Sequence, residues 1–304
     1  MSGPVAPEDT NPPDAVAAPP APALELGDSR VRDVGGTPVH RALPRRERRT
    51  IGAWCFLDHF GPQDRGMEIG PHPHTGLQTV TWLVEGEVLH RDSLGSEQLI
   101  RPGQLNLMTA GHGVAHAEET PPTYTGRTHG VQLWVALPDA TRHGPPAFEH
   151  HAELPRAGVG TAVATVIVGA LAGARSPARA DSPLVGAEIA LGGGEVDLPL
   201  DSTFEHGLIV LGGALGLDGV AVGPAQLAYL RPGRDRVRVA SSSSARALLI
   251  GGEPFPETPL MWWNFVARSR EEVAAATREW NAESARFGRV ASGLARIPAP
   301  SPPW

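Results

Sequence analysis

His72 and His74 stand two residues apart, as do His116 and Glu118. In an extended strand alternate side chains point to one face, so each pair projects together, and two such strands facing one interior would bring four donors to a point. Imidazole and carboxylate suit Fe, Mn, Ni, Cu and Zn, and three His with one carboxylate, leaving coordination positions open, is kin to the facial triads of non-haem Fe(II). Fe(II) therefore leads the expectation, with Mn, Ni, Cu or Zn as alternatives. Glu118 is the only anionic donor of the four.

A single His-x-His is better explained by polar residues satisfied inside a core. The second pair at the same spacing argues against that, and so does an internal repeat. Gln104-Leu105 followed by Gly111 recurs as Gln226-Leu227 followed by Gly233. Val84-Glu85-Gly86 over Val210-Leu211-Gly212 sets Leu198-Pro199-Leu200 beneath His72-Pro73-His74, and the downstream register sets Arg238 and Ala240 beneath His116 and Glu118. All four donors are replaced, so one metal per chain is expected, in the first copy.

Other residues compete for a role. His112, between Gly111 and Gly113, reads as a turn residue. His90 and His129 read either as donors behind the ligands or as surface residues, and neither is assigned. His150-His151 falls in a solvated loop between the copies. Gln78, four residues after His74, sits where a carboxylate would complete a common barrel-type metal motif, and its amide is a poorer ligand.

The elements that must hold these residues are short strands. Over residues 31–138 apolar stretches alternate with turn signals such as Gly35-Gly36, Gly61-Pro62, Gly70-Pro71 and Pro102-Gly103, and after a loop at 138–160 a second series runs over 161–252. The reading is all-β: two tandem jelly-roll-like β-barrels, residues 29–150 holding the metal and 151–290 lacking ligands. Residues 163–168 read as a strand. Ser269 and Glu272 form a capping box before Val273, Ala276, Thr277, Trp280, Ser284 and Phe287 at helical spacing, which predicts a helix over 269–287 docked on a barrel by Trp280 and Phe287. Residues 1–28, with seven prolines before Leu24, read as a disordered tail, and 291–304 as a Pro-rich tail.

Composition narrows the function classes. A chain of 304 residues has room for about two domains, and 36 Gly with 31 Pro favour many turns. Every basic residue is Arg and the net charge is -7, and the cluster Arg45, Arg46, Arg48 and Arg49 reads as a solvated loop, so direct nucleic-acid binding is not expected. Cys55 stands alone in an apolar run, which excludes an intramolecular disulfide and predicts a buried, inert thiol. The start of the chain lacks a basic segment followed by an apolar one, and the uncharged span 157–174 is diluted by Gly, Ala and Thr, so the expectation is a cytoplasmic protein with no membrane span.

The run His72-Pro73-His74-Thr75-Gly76-Leu77-Gln78-Thr79-Val80-Thr81, with Glu85-Gly86-Glu87 and His90-Arg91-Asp92-Ser93-Leu94-Gly95, resembles the pirin family of the cupin superfamily. So do Arg101-Pro102-Gly103, Met108-Thr109-Ala110-Gly111 leading to His116-Ala117-Glu118, Gln132-Leu133-Trp134, Leu57-Asp58-His59-Phe60-Gly61-Pro62 and Trp263-Asn264-Phe265-Val266. The resemblance covers about residues 31–290. It implies a bicupin with iron in the N-terminal barrel on His72, His74, His116 and Glu118. Gln78 stands where the family usually has a Glu that is not a ligand, and His112 where many members have Arg. The activity implied is that of pirin-type quercetin 2,3-dioxygenases, which open a flavonol ring and release carbon monoxide. Here Glu118 would serve as base toward a small aromatic substrate. The alternative implied is a metal- or redox-responsive regulator acting through a protein partner, and a third reading is a metal that only stabilises the barrel.

Overall fold

The computed structural model describes residues 24–124 and 126–304, so the expectation of a tail over 1–23 lies outside the described residues. In the first barrel an antiparallel sheet of seven strands runs in the order Ala147–His151, Leu105–Thr109, Leu77–Glu85, Thr128–Ala136, Trp54–Gln63, Thr37–Leu43, Arg30–Val34. A sheet of four strands, Ile69–His74, Val114–Glu119, Val88–Asp92 and Glu97–Ile100, closes it. The second barrel repeats the plan. Glu205–Gly212, Ala245–Gly252, Leu184–Leu191 and Ala162–Leu171 lie side by side in the larger sheet, and Gly194–Pro199, Arg236–Ser241, Leu215–Leu217 and Val220–Val222 make the smaller. The strand expected over 163–168 lies inside Ala162–Leu171.

The strand patterns explain the layering. Arg236–Ser241 buries Val237 and Val239 and exposes Arg236 and Arg238, a two-residue alternation with one wet face. Leu77–Glu85, by contrast, is buried almost throughout, because both faces of the larger sheet are covered. One covers the barrel interior. The other packs against the second barrel, where Val80, Trp82, Leu107 and Leu133 meet Ile209, Leu211, Leu248 and Ile250 in one apolar cluster. Polar ties cross the same seam: Trp54 Nε1 donates to Val185 O and Gly251 O, each at 3.1 Å, and Trp82 Nε1 to Glu188 Oε2 at 2.9 Å. Gly52, at φ +51°, is needed there, since a Cβ would come within 2.7 Å of Gly252 Cα. The core is therefore continuous across the two barrels.

The chain ends exchange places. Leu24–Asp28, expected to belong to the tail, instead pairs with Gln226–Leu230 of the second barrel before the chain enters the first. Its alternating Leu24 and Leu26 have an unpaired sheet edge to occupy, which tail composition does not reveal. After Gly252 the chain returns to the first barrel. Leu260–Trp262 pairs with Phe265–Ala267, and Val266 N donates to Thr75 O at 3.0 Å. The helix spans Arg270–Asn281, with the Ser269 hydroxyl accepting from Glu272 N. It ends earlier than expected: Glu283 takes a left-handed φ of +54°, and Phe287 sits on a separate 3-10 turn, Ala285–Phe287. Trp280 and Phe287 do dock the helix, against Ala115 and Phe265 of the first barrel. Nor do His150 and His151 lie in a solvated loop. They are half-buried on the strand Ala147–His151, with His150 Nδ1 2.7 Å from Asn106 Oδ1.

Candidate metal centre

The strands Ile69–His74 and Val114–Glu119 are antiparallel neighbours, with His72 opposite His116 and His74 opposite Val114. This register places three imidazoles on one inward face. One ring nitrogen from each of His72, His74 and His116 lies within 4.8 Å of the others, and all three residues are buried. Glu118, on the same strand as His116 beyond a bulge, is buried and lines the same cavity, with its carboxylate outside that close set.

The hydrogen bonds set which nitrogen faces inward. His72 Nδ1 is 2.9 Å from Gly70 O and His74 Nδ1 is 3.1 Å from Asn264 O. A carbonyl can only accept, so Nδ1 carries the proton in both rings and Nε2 presents a lone pair. His74 Nε2 and His116 Nε2 lie 3.0 Å apart. Burial keeps the rings neutral: it holds His72 down at about 4 and pushes His74 and His116 well below the ordinary imidazole value. Two such lone pairs repel unless a cation or a shared proton lies between them. Ligand nitrogens about 2.0–2.1 Å from one metal and at right angles are roughly 3 Å apart, so the spacing fits a first-row divalent ion. Burial pushes the Glu118 carboxyl the other way, up to about 7.

The donors open onto a cavity of about 380 Å³. One wall is aromatic, with Phe56 and Trp134 stacked at 4.0 Å and 13°. Opposite polarity comes from Arg41, which holds buried Asp58 in a two-pronged pair at 2.8 and 2.7 Å and lies over the Phe56 ring. Asn264 and Ile297, from the returning C-terminal segment, complete the lining.

The remaining sequence candidates lie elsewhere. His112 is in a turn, its Nδ1 3.0 Å from Gly144 O. Gln78 is buried and donates to Thr109 Oγ1 at 3.0 Å. His129 pairs with His59 at 2.8 Å between Nε2 atoms, away from the cavity lining. Cys55 is buried, and desolvation pushes its thiol up to about 12, as expected of an inert core residue. Left unassigned by the sequence, His90 stands behind His116, their Nδ1 atoms 3.4 Å apart. The missed signal is the spacing itself, since His90 and Asp92 form a third alternate-residue pair.

The repeat needs one correction. Leu198 lies opposite Val237 in the second barrel as His72 lies opposite His116 in the first. The inward counterparts of His116 and Glu118 are thus Val237 and Val239; Arg238, aligned with His116 in the sequence, is on the exposed face. A one-residue slip in a strand exchanges its faces. Leu198 and Leu200 do occupy the interior at the places of His72 and His74, and with Val237 and Val239 they fill it.

The chain is similar to known proteins. The family model Pirin matches residues 36–135, and that for the pirin C-terminal cupin domain matches 188–288. A Pseudomonas aeruginosa protein bearing the provisional name quercetin 2,3-dioxygenase is 50% identical over 92% of this chain and 91% of its own. A crystal structure titled quercetin 2,3-dioxygenase, from Acinetobacter baumannii, superposes with a TM-score of 0.89 at 42% identity, covering 92% of this chain and 96% of that one. A bacterial pirin from Escherichia coli, solved in complex with nickel(II), has a TM-score of 0.62 at 18% identity, covering 76% of this chain and 100% of that one, a likeness of fold alone.

Proposed function

The chain belongs to the pirin family, and we propose that it is an Fe(II)-dependent dioxygenase acting on a flavonol-like, quercetin-type substrate. The observation that carries this reading is the convergence of three neutral imidazoles, Nε2 inward, on an aromatic-walled cavity. His72, His74 and His116 would hold the metal, with Glu118 as the carboxylate donor. Mn, Ni, Cu and Zn suit the same donors.

A bound divalent metal supplies Lewis acidity toward a substrate hydroxyl and the redox partner that dioxygen requires. The protein supplies the rest. The stacked rings of Trp134 and Phe56 in the cavity wall give a planar ring an apolar surface, and the Arg41–Asp58 pair offers donors and acceptors to hydroxyl groups. Glu118, on the same strand as His116 and lining the cavity, can take the hydroxyl proton at its carboxylate oxygen. Ile297 and Asn264 add the C-terminal segment to the cavity wall. Among the described residues no helix is long and apolar enough to cross a membrane. A reducing compartment is supported by the single thiol of Cys55.

The test is oxygen uptake and carbon monoxide release by anaerobically iron-loaded protein across a flavonol panel. Turnover well above that of the His74→Ala variant is expected, and turnover equal to it sinks the dioxygenase reading for those substrates.

A further inference from the structure

We propose that His90 and Asp92 are positioning residues which fix the tautomer of His116 and so aim its Nε2 lone pair into the cavity. The inference rests on the metal-binding reading above, though not on any substrate.

Each of the three cavity histidines needs an acceptor at Nδ1 to hold its proton there. His72 and His74 find theirs in the backbone, at Gly70 O and Asn264 O. His116 instead faces the ring of His90, Nδ1 to Nδ1 at 3.4 Å, the long edge of a hydrogen bond. Two Nδ1 atoms can meet this way only if one ring donates and the other accepts.

Asp92 decides which ring donates. Its Oδ1 accepts from the backbone N–H groups of Leu94 and Ser96 at 2.9 and 3.0 Å, so the turn after the strand fixes the carboxylate. Its Oδ2 lies 3.0 Å from His90 Nε2. A carboxylate accepts, so His90 carries its proton on Nε2 and offers the Nδ1 lone pair to His116. His116 must then donate from Nδ1, because the charge-assisted bond at Asp92 outweighs the alternative in which His116 Nε2 donates to His74 Nε2 at 3.0 Å, and without a metal the two Nε2 lone pairs are left to move apart. Phe148 stacks on the His90 ring at 4.5 Å and 16° and resists its rotation.

Strand register builds this chain of contacts. In the strand Val88–Asp92 the residues Val88, His90 and Asp92 face inward, and His90 lies opposite Glu118 while Asp92 lies opposite His116. The second barrel is the internal control. There Leu217 pairs with Val239 as His90 pairs with Glu118, so where the ligands have become apolar the supporting histidine has become Leu. The barrel fold alone does not need an imidazole at that place.

The decisive measurement is a long-range 1H–15N correlation spectrum of 15N-labelled metal-free protein, which reads each histidine's tautomer without metal or substrate. Wild-type His116 is expected protonated at Nδ1. In Asp92→Asn the two backbone N–H groups retain the side-chain oxygen, so the amide NH2 faces His90, the His90 proton moves to Nδ1 and His116 is driven toward the Nε2–H form. Zinc affinity by chelator competition is expected to fall about 10- to 100-fold in Asp92→Asn and His90→Leu. His90→Gln, whose carbonyl oxygen can accept from His116, is expected to recover most of it. His116 protonated at Nε2 in the wild type overturns the proposal whether or not the variants fold. So does zinc affinity within twofold of wild type in both Asp92→Asn and His90→Leu. A wild-type protein with the expected tautomer that fails to retain zinc instead overturns the metal reading and with it the purpose assigned here. A negative result on flavonols touches neither.

Discussion

Burial acts in opposite directions on the residues lining the cavity, and the consequences can be measured. Desolvation favours neutral imidazole at His72, His74 and His116 and neutral carboxyl at Glu118. Glu118 has a folded value of about 7 against 4.5 for the exposed group. The native state therefore binds the extra proton between those values, and its share of stability is fully present below pH 4.5 and lost as pH rises through 7. At about 1.4 kcal/mol per pH unit the loss is about 3–4 kcal/mol. The histidines have the opposite sign, since they cost stability as pH falls below the unfolded imidazole value. Comparing Glu118→Gln with wild type, both metal-free, isolates the carboxylate: equal urea midpoints near pH 4.5 and a more stable variant at pH 8 are expected. A constant difference across that range would show that Glu118 is not desolvated as described. For His74→Ala, loss of a donor should weaken metal binding by more than the 10- to 100-fold of an outer contact. Elemental analysis after gel filtration checks this, and equal metal in both proteins would remove His74 from the site.

At the scale of the strand, the sequence made the donors legible because their spacing and the strand period are the same. His72 with His74, and His116 with Glu118, could be read as two inward pairs before any fold was known, and the structure does bring the three histidines together. Pairing register is less visible. A bulge between His116 and Glu118 shifts the ladder, and although the alternation Arg236-Val237-Arg238-Val239 marks the valines as the inward pair, the match of Gln104-Leu105 to Gln226-Leu227 set the register one residue away from it. The strand Leu24–Asp28 was hidden because its partner lies about two hundred residues away. The corrected register makes a prediction of its own. Leu198→Ala should cost about 2–5 kcal/mol, because Leu198 is fully buried in the second barrel. Arg238→Ala should leave the unfolding midpoint unmoved, because Arg238 is exposed and its pairs with Asp197 and Glu195 lie at the surface. The reverse order in urea titrations would restore the alignment that set Arg238 beneath His116.

For the molecule as a whole, the exchange of chain ends means that neither barrel is completed by its own contiguous sequence. The first 29–150 residues lack the C-terminal segment that supplies Asn264 O to His74 and Ile297 to the cavity wall, and the second barrel lacks its edge strand without Leu24–Asp28. The two ends should therefore fail differently when removed. Deleting residues 291–304 takes away the acceptor of Trp280 Nε1 at Ile297 O, the bond from Ile297 N to Pro71 O, and both bonds between Asn281 and Ala299. At about 0.5–1.5 kcal/mol each, these losses amount to roughly 2–6 kcal/mol, concentrated on the first barrel. Pro71 adjoins His72 and Ile297 lines the cavity, so the metal should also pass to a chelator faster than in the full chain. Deleting residues 1–28 should instead expose the edge at Gln226–Leu230 and speed hydrogen exchange there, leaving the chelation rate unchanged. Stopped-flow chelation and hydrogen exchange on both deletions separate the two effects. If both deletions changed the chelation rate equally, the seam formed by Trp82, Leu107, Ile209 and Ile250 would be transmitting strain between the barrels, and they could not be treated as separately closed by opposite ends of the chain.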